Sequence, residues 1–239
     1  MIQANKKVGE TPLEFITRWR SENRGFHDER LSYAGRLDPM AEGKMLIMVG
    51  AENNQREEFL SYDKEYEATF LFGISTDTGD VLGLITNEVD DWWKISQQEI
   101  FSCIEDFVKI KTQKYPWFSS KTVDGIKLFE HFKNGNLNIE RPTRDVEIKS
   151  VEILNFEEIN TDEVESYIFE SIGKVNGDFR QDEIVARWRE FFAKNSRTKL
   201  QTAKIKILVS SGTYIRALTE NFPFPTILLK LNRTQIIRE

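Results

Sequence analysis

Asp38 stands directly before Pro39 in GRLDPMAEG, a turn flanked by Gly35 and Gly43 that leads into the apolar residues 45–49. Two uses for its carboxylate are open. Asp-Pro is an ordinary helix start, with the acid as N-cap and the proline at the first helical position; alternatively Asp38 is a catalytic acid or base. A second patch is SSGTYIRALTEN, residues 210–221, where a strand ends at Ser-Ser-Gly and a helix begins. Gly212 permits close backbone approach. Arg216 then falls in the first helical turn, against the positive end of the dipole, and needs a carboxylate or phosphate partner. A third is Tyr66 in DKEYEAT, either a core and cross-strand residue or a functional ring.

Composition narrows the chemistry. The chain has 239 residues, 39% hydrophobic and 12% aromatic, enough to fill a core. A single cysteine, Cys103, and two histidines, His27 and His131, argue against a disulfide and against a metal site, and point to a reducing cytoplasm. The opening MIQANKKVGETPLEF lacks the apolar core of an export signal, and no apolar run reaches the roughly 18 residues that span a bilayer. A net charge of -6 speaks at first against nucleic acid. The charge is uneven, however: residues 51–113 carry 5 Lys/Arg against 14 Asp/Glu, whereas residues 194–239 carry 9 against 2. That asymmetry fits an anionic partner on one face, or charges scattered over a solvated surface.

The elements that must position these residues follow from periodicity. Residues 11–21 place Leu13, Phe15, Ile16 and Trp19 at helical spacing behind a Thr11 cap and Pro12. A short strand is expected at 45–49, a helix at 56–62, a strand at 64–73 with Tyr66, Ala68, Phe70 and Phe72 on one face, a turn at 75–80 and a helix at 97–109. Residues 146–156, 203–209 and 226–231 read as further strands. Residues 181–194 form a helix whose stripe, Ile184, Val185, Trp188, Phe191 and Phe192, is either packing or a partner-binding face. No repeat or linker divides the chain. The order predicts an α+β architecture, a mixed, mostly antiparallel sheet flanked by helices.

Seven segments then occur in a familiar order: KKVGETPLEFITRWR, GRLDPMAEG, DKEYEATFLFGISTDTGDVLG, QKYPWFSSKTVDGIKLFEHFKNG, RPTRDVEI, SSGTYIRALTEN and LNRTQI. Together they resemble the TruB family of tRNA pseudouridine synthases, over roughly residues 3–156 and 203–237. The resemblance implies the pseudouridine synthase fold and a cofactor-free, metal-free isomerisation. The N-glycosidic bond of a uridine, usually position 55 in the T loop of tRNA, is broken, the base is turned, and C5 is joined to the ribose. It assigns catalysis to Asp38, with Arg216 as its charged partner and Tyr66 as a ring that stacks on the flipped base. Substrate binding falls to Tyr33, Arg36, Tyr214 and Leu231, and phosphate contacts to Lys114, Lys121, Lys127, Lys133, Arg141, Arg144 and the basic tail. Binding weakens steeply with salt on that reading. The implied partner is the T-arm stem-loop of tRNA, the implied state a cytoplasmic monomer, with no membrane.

Four departures bear on these expectations. Tyr33 stands where the family has a histidine; Lys7 and Pro12 replace a proline and a serine in the opening motif. An acidic insert, about 157–200, is expected to add a helical flap or a partner surface. The chain, taken as one catalytic domain over 1–239, leaves no room for the C-terminal PUA domain of many relatives. The rivals are a TruB-like protein that binds and folds tRNA without modifying it, a synthase for another RNA uridine, and an aspartic protease built on Asp77-Thr78-Gly79, which lacks a second copy of the motif.

Overall fold

The computed structural model describes residues 1–89, 94–196 and 198–238. Its strands are β1 (Ile2–Lys6), β2 (Leu31–Ala34), β3 (Ala41–Val49), β4 (Asp63–Phe72), β5 (Ile74–Thr76), β6 (Ile85–Glu88), β7 (Thr112–Lys114), β8 (Thr122–Val123), β9 (Ile126–Lys127), β10 (Thr143–Asp145), β11 (Ile148–Asn160), β12 (Lys199–Val209) and β13 (Thr226–Ile237). Its α-helices are α1 (Pro12–Glu22), α2 (Arg56–Ser61), α3 (Gln97–Glu105), α4 (Leu128–Lys133), α5 (Thr161–Gly173) and α6 (Gln181–Lys194).

Seven strands form one sheet in the order β1-β3-β13-β4-β12-β11, with β2 also on β3. The pairings are antiparallel except β13 with β3, where Leu231–Arg233 runs beside Ala41–Gly43. The α+β expectation therefore holds. So does the face of β4: Tyr66, Ala68, Phe70 and Phe72 are all buried, because period-two alternation puts them on one side of the pleat. They meet Phe15, Ile16 and Trp19 of α1, Ile100 and Ile104 of α3, and Phe222 in one core.

Three local expectations are corrected. No helix starts at Pro39. The Ala41 amide donates to the Asp38 carbonyl at 3.0 Å, closing a turn, and β3 begins at once. The chain there is claimed on both edges, by β1 and by β13, and ladder bonds outweigh the local Asp-Pro preference. Residues 106–109 tighten into a 3₁₀ turn after α3. Strands β12 and β13 run well beyond 203–209 and 226–231.

The insert is narrower and more deeply packed than a flap. β11 and β12 pair through Asn160 and Lys199, so the helical insertion proper is 161–198. Val164, Ile168 and Ile172 of α5, with Ile184, Trp188, Phe191 and Phe192 of α6, bury against Leu71, Ile74, Val81, Ile227 and Leu229. Trp188 Nε1 also donates to the Val81 carbonyl at 3.2 Å. The α6 stripe is thus core packing, and the hairpin forms a second layer on the sheet.

Candidate active site

The turn carrying Asp38 is held from behind by two buried cations. Lys6, at the end of β1, sends its ammonium to the carbonyls of Ala41 at 2.5 Å, Lys7 at 3.0 Å and Pro39 at 3.5 Å. Arg233, fully buried on β13, donates to the carbonyls of Lys44 at 2.6 Å and Gly35 at 3.1 Å. Burial lowers the Lys6 pKa to about 8, with Glu10 and Asp38 partly offsetting it. The turn is anchored on both flanks, so the Asp38 side chain is left facing outward, 44% exposed.

Arg216 meets it there. Its Nε and Nη2 lie 3.0 and 2.9 Å from Asp38 Oδ2, and Nη2 also donates to the Phe118 carbonyl at 3.1 Å. Nη1 donates to the Thr78 carbonyl. A second carboxylate, Asp80, stands 3.4 Å from Nε on the buried side and accepts from Thr78 Oγ1 at 2.8 Å and from the Leu82 amide at 3.0 Å. Burial pushes the Asp80 carboxyl above its usual range, with Arg216 opposing and the Asp38 charge reinforcing. Burial alone would lower the Arg216 pKa, but Asp38 and Asp80 outweigh it and hold the guanidinium above its ordinary value. Arg216 opens a short 3₁₀ turn, Arg216–Asn221, so the anion that its position required is supplied by side chains.

Asp38 and Arg216 sit in a cleft of about 820 Å³. Tyr66 lines it, 6% exposed, with the Arg233 guanidinium 5.9 Å from its ring centre. Tyr214, Leu231, Arg36 and Arg144 line it as well. Burial raises the Tyr214 hydroxyl pKa, and Asp38 adds to the effect. Among the described residues the walls carry nine Lys or Arg and four Asp or Glu, against a chain charge of -6. Arg36, Arg56, Lys127, Lys133 and Arg144 are among these wall residues, and Lys64 is buried on β4. Such a cleft concentrates field lines that draw in a polyanion.

Other expected binding residues are not brought into the cleft. Tyr33, on β2 opposite Ile47, packs against the core instead. Lys121 lies 5.1 Å over the Tyr115 ring. Arg141 makes a two-pronged pair with Glu220 at 2.9 Å and lies over Trp117. Much of the basic tail is paired with acids of this chain: Lys204 and Lys206 face Glu67 and Glu65 across the sheet and Arg238 meets Glu58, all at the surface, while Arg233 is buried. Arg197 of that tail lies outside the described residues. Sequence reasoning missed Asp80, Lys64, Arg56, Arg180 and Arg233 as cleft residues. The signal for Asp80 was present in the turn cluster STDTGD, but its partner is far away along the chain. Asp77, of the same cluster, pairs with Arg180 at 2.7 Å and caps the Leu84 amide, which makes it a structural acid.

No group of three or more His, Cys, Asp or Glu side chains converges as a metal cage would require, among the described residues. No helix of the described residues is long and apolar enough to cross a membrane. What the site offers is an accessible carboxylate held by an arginine fork at the foot of a cationic, partly aromatic cleft.

Residues 23–173 match the family model described as TruB family pseudouridylate synthase, N terminal domain. The tRNA pseudouridine synthase B of Psychrobacter arcticus is 33% identical over 170 residues, covering 66% of this chain and 42% of that protein. The protein of the same name from Fusobacterium nucleatum is 29% identical over 158 residues, covering 66% and 53%. The chain spans about half the length of the curated relatives it matches. Among solved structures, a Cbf5-Nop10-Gar1 complex aligns with a TM-score of 0.55 at 15% identity, covering 97% of this chain and 47% of that one. An H/ACA RNP bound to a substrate RNA containing 2'-deoxyuridine aligns with a TM-score of 0.50 at 13% identity, covering 97% and 45%. At those identities the likeness bears on the fold alone.

Proposed function

Because the chain belongs to the TruB family of pseudouridylate synthases, we propose that it isomerises uridine to pseudouridine in the T loop of tRNA, acting as a single catalytic domain. The observation that carries this reading is the Asp38–Arg216 pair at the foot of a cleft that is cationic in an acidic protein. A T-loop uridine has to leave its stack to reach Asp38, and Tyr66, Tyr214 and Leu231 offer the walls on which a flipped base would rest. The carboxylate then either attacks C1′ or takes the 2′ proton, and the N1–C1′ bond breaks. After the base turns, C5 bonds to C1′, displacing the carboxylate in the first route or with the proton returned from Asp38 to C2′ in the second; the C5 proton goes to solvent, and N1 gains a proton. The atoms balance without a redox partner.

Arg216 pairs with Asp38 and aims it, since two of its nitrogens share one carboxylate oxygen. Tyr66 acts by stacking rather than as the base. Arg36, Arg144, Lys127 and Lys133 are the phosphate contacts best supported, each being on the cleft wall. The geometry lends less to Tyr33, Lys121 and Arg141. One chain brings the whole cleft together, which suits a monomer.

The test is tritium release from unmodified tRNA labelled at C5 of uridine. Wild type should release label, Asp38→Asn should lose at least about 10³ in rate while still binding RNA, and a transcript with cytidine at the T-loop target should release none from that position. Identical behaviour of wild type and Asp38→Asn in release would leave an RNA-binding or RNA-folding protein instead. Release that survives the transcript change would move the target to another uridine.

A further inference from the structure

The loop joining α5 to α6, residues 174–180, returns from the far layer to the catalytic cleft, where Asp178, Phe179 and Arg180 form part of the wall. It is fixed at several points. Gly9, at φ +92, packs so closely on Lys174 that a Cβ would collide with that residue's backbone. Asn176 donates to Glu14 Oε1 of α1 at 3.0 Å. Arg180, itself left-handed at φ 65, places Nη1 2.7 Å from Asp77 Oδ2 and its guanidinium carbon 4.9 Å from the Phe118 ring centre. Asp77 is 4% exposed, and its other oxygen accepts from the Leu84 amide at 2.9 Å.

These two contacts fall on the segments that hold Arg216. Thr78, next to Asp77, and Phe118 itself accept from the Arg216 guanidinium through their carbonyls. Arg180 therefore grips by side chain the two strands of backbone that cradle Arg216 by main chain. We propose that Arg180 is a positioning residue: it ties Asp77-Thr78 to Phe118 so that the Arg216 fork stays aimed at Asp38, and the helical insert becomes part of the support of the active site. The inference rests on the Asp38–Arg216 reading above. A side chain that looks like an RNA contact at the cleft wall acts, on this account, through the cradle and not on the substrate.

The experiment measures kcat and KM for tritium release from a C5-labelled T-arm hairpin. Arg180→Ala alone leaves Asp77 buried without its partner, so it is made together with Asp77→Asn, which keeps the acceptor for Leu84; Arg180→Lys is the conservative variant. The expected result is a fall in kcat of about tenfold in the double variant with KM within about twofold, and partial recovery of kcat in Arg180→Lys. An unchanged kcat overturns the proposal, and so does a raised KM with kcat intact, which would make Arg180 an RNA contact. A wild type that releases no label removes the reading of the site. The clamp is then judged without RNA, by amide hydrogen exchange over 77–84 and 117–119: faster exchange in the double variant sustains it, and unchanged exchange overturns it.

Discussion

Arg216 uses three nitrogens on three partners, and a lysine could not. Its Nε and Nη2 meet one oxygen of Asp38 while Nη1 and Nη2 are tied to the Thr78 and Phe118 carbonyls, so the charge is fixed in direction as well as sign. An ammonium at that depth would be a point charge free to settle on buried Asp80 instead. Arg216→Lys should therefore lower the single-turnover rate by on the order of 10², with RNA affinity in a filter-binding assay little changed. A rate near that of wild type would remove the fork from the mechanism. At this scale the sequence was informative where local chemistry was anomalous: an arginine at a helix start asks for an anion, and Asp38 answers. It was silent on Asp80, Lys64 and Arg233, because ordinary residues in a turn or strand become site residues only through partners brought from distant parts of the chain. The expectation for Lys121 and Arg141 came from motif position, and the fold turns both toward nearby rings.

The turn before β3 carries Asp38 to the cleft, and strands β4 and β13 carry Lys64, Tyr66, Leu231 and Arg233. The existence of these strands was legible, β4 and β13 from period-two alternation and β3 from its short apolar run; their lengths and the strand start at Ala41 were not, since those depend on which neighbours pair. One element-level consequence is measurable. Lys64, 6% exposed on β4, donates to the carbonyls of Leu60 at 2.8 Å and of Tyr62, and burial lowers its pKa to about 8, with Arg233 adding to the effect. In the unfolded chain a lysine titrates near 10.4. Between about pH 8 and 10.4 the unfolded state thus holds a proton that the folded state has released, so stability rises with pH across that window; below pH 8 the buried charge costs its full amount, about 3 kcal/mol. Urea unfolding at pH 7.5 and pH 10.5 should show that rise in wild type, and Lys64→Met should show a smaller one. Equal rises in the two proteins would place the titration elsewhere.

The two layers on the sheet divide the labour of the whole molecule. One layer, with α1 and α3, backs the Tyr66 face; the other is the α5–α6 hairpin, whose amphipathic stripe was legible in the sequence but whose target was not, because periodicity shows that a face is buried without showing against what. Residues 161–193 of this layer carry 4 Lys/Arg against 8 Asp/Glu, an acidic balance that leaves the cleft as the surface that attracts a polyanion. If the hairpin were a flap, joining Asn160 to Lys199 by an Asn-Gly turn would be tolerated, since those two residues already face each other in the ladder. The packing argues the opposite. Removal of 161–198 would uncover Leu71, Ile74, Val81, Leu82, Ile227 and Leu229, and at roughly 1.5–3 kcal/mol for each buried aliphatic side chain the loss reaches the 5–15 kcal/mol that holds a typical domain together. The shortened chain should express as aggregate, or as a species that binds a hydrophobic dye and unfolds without a cooperative transition. A soluble product that melts cooperatively within a few degrees of wild type would show that the sheet closes on its own, and would return the hairpin to the status of an appendage.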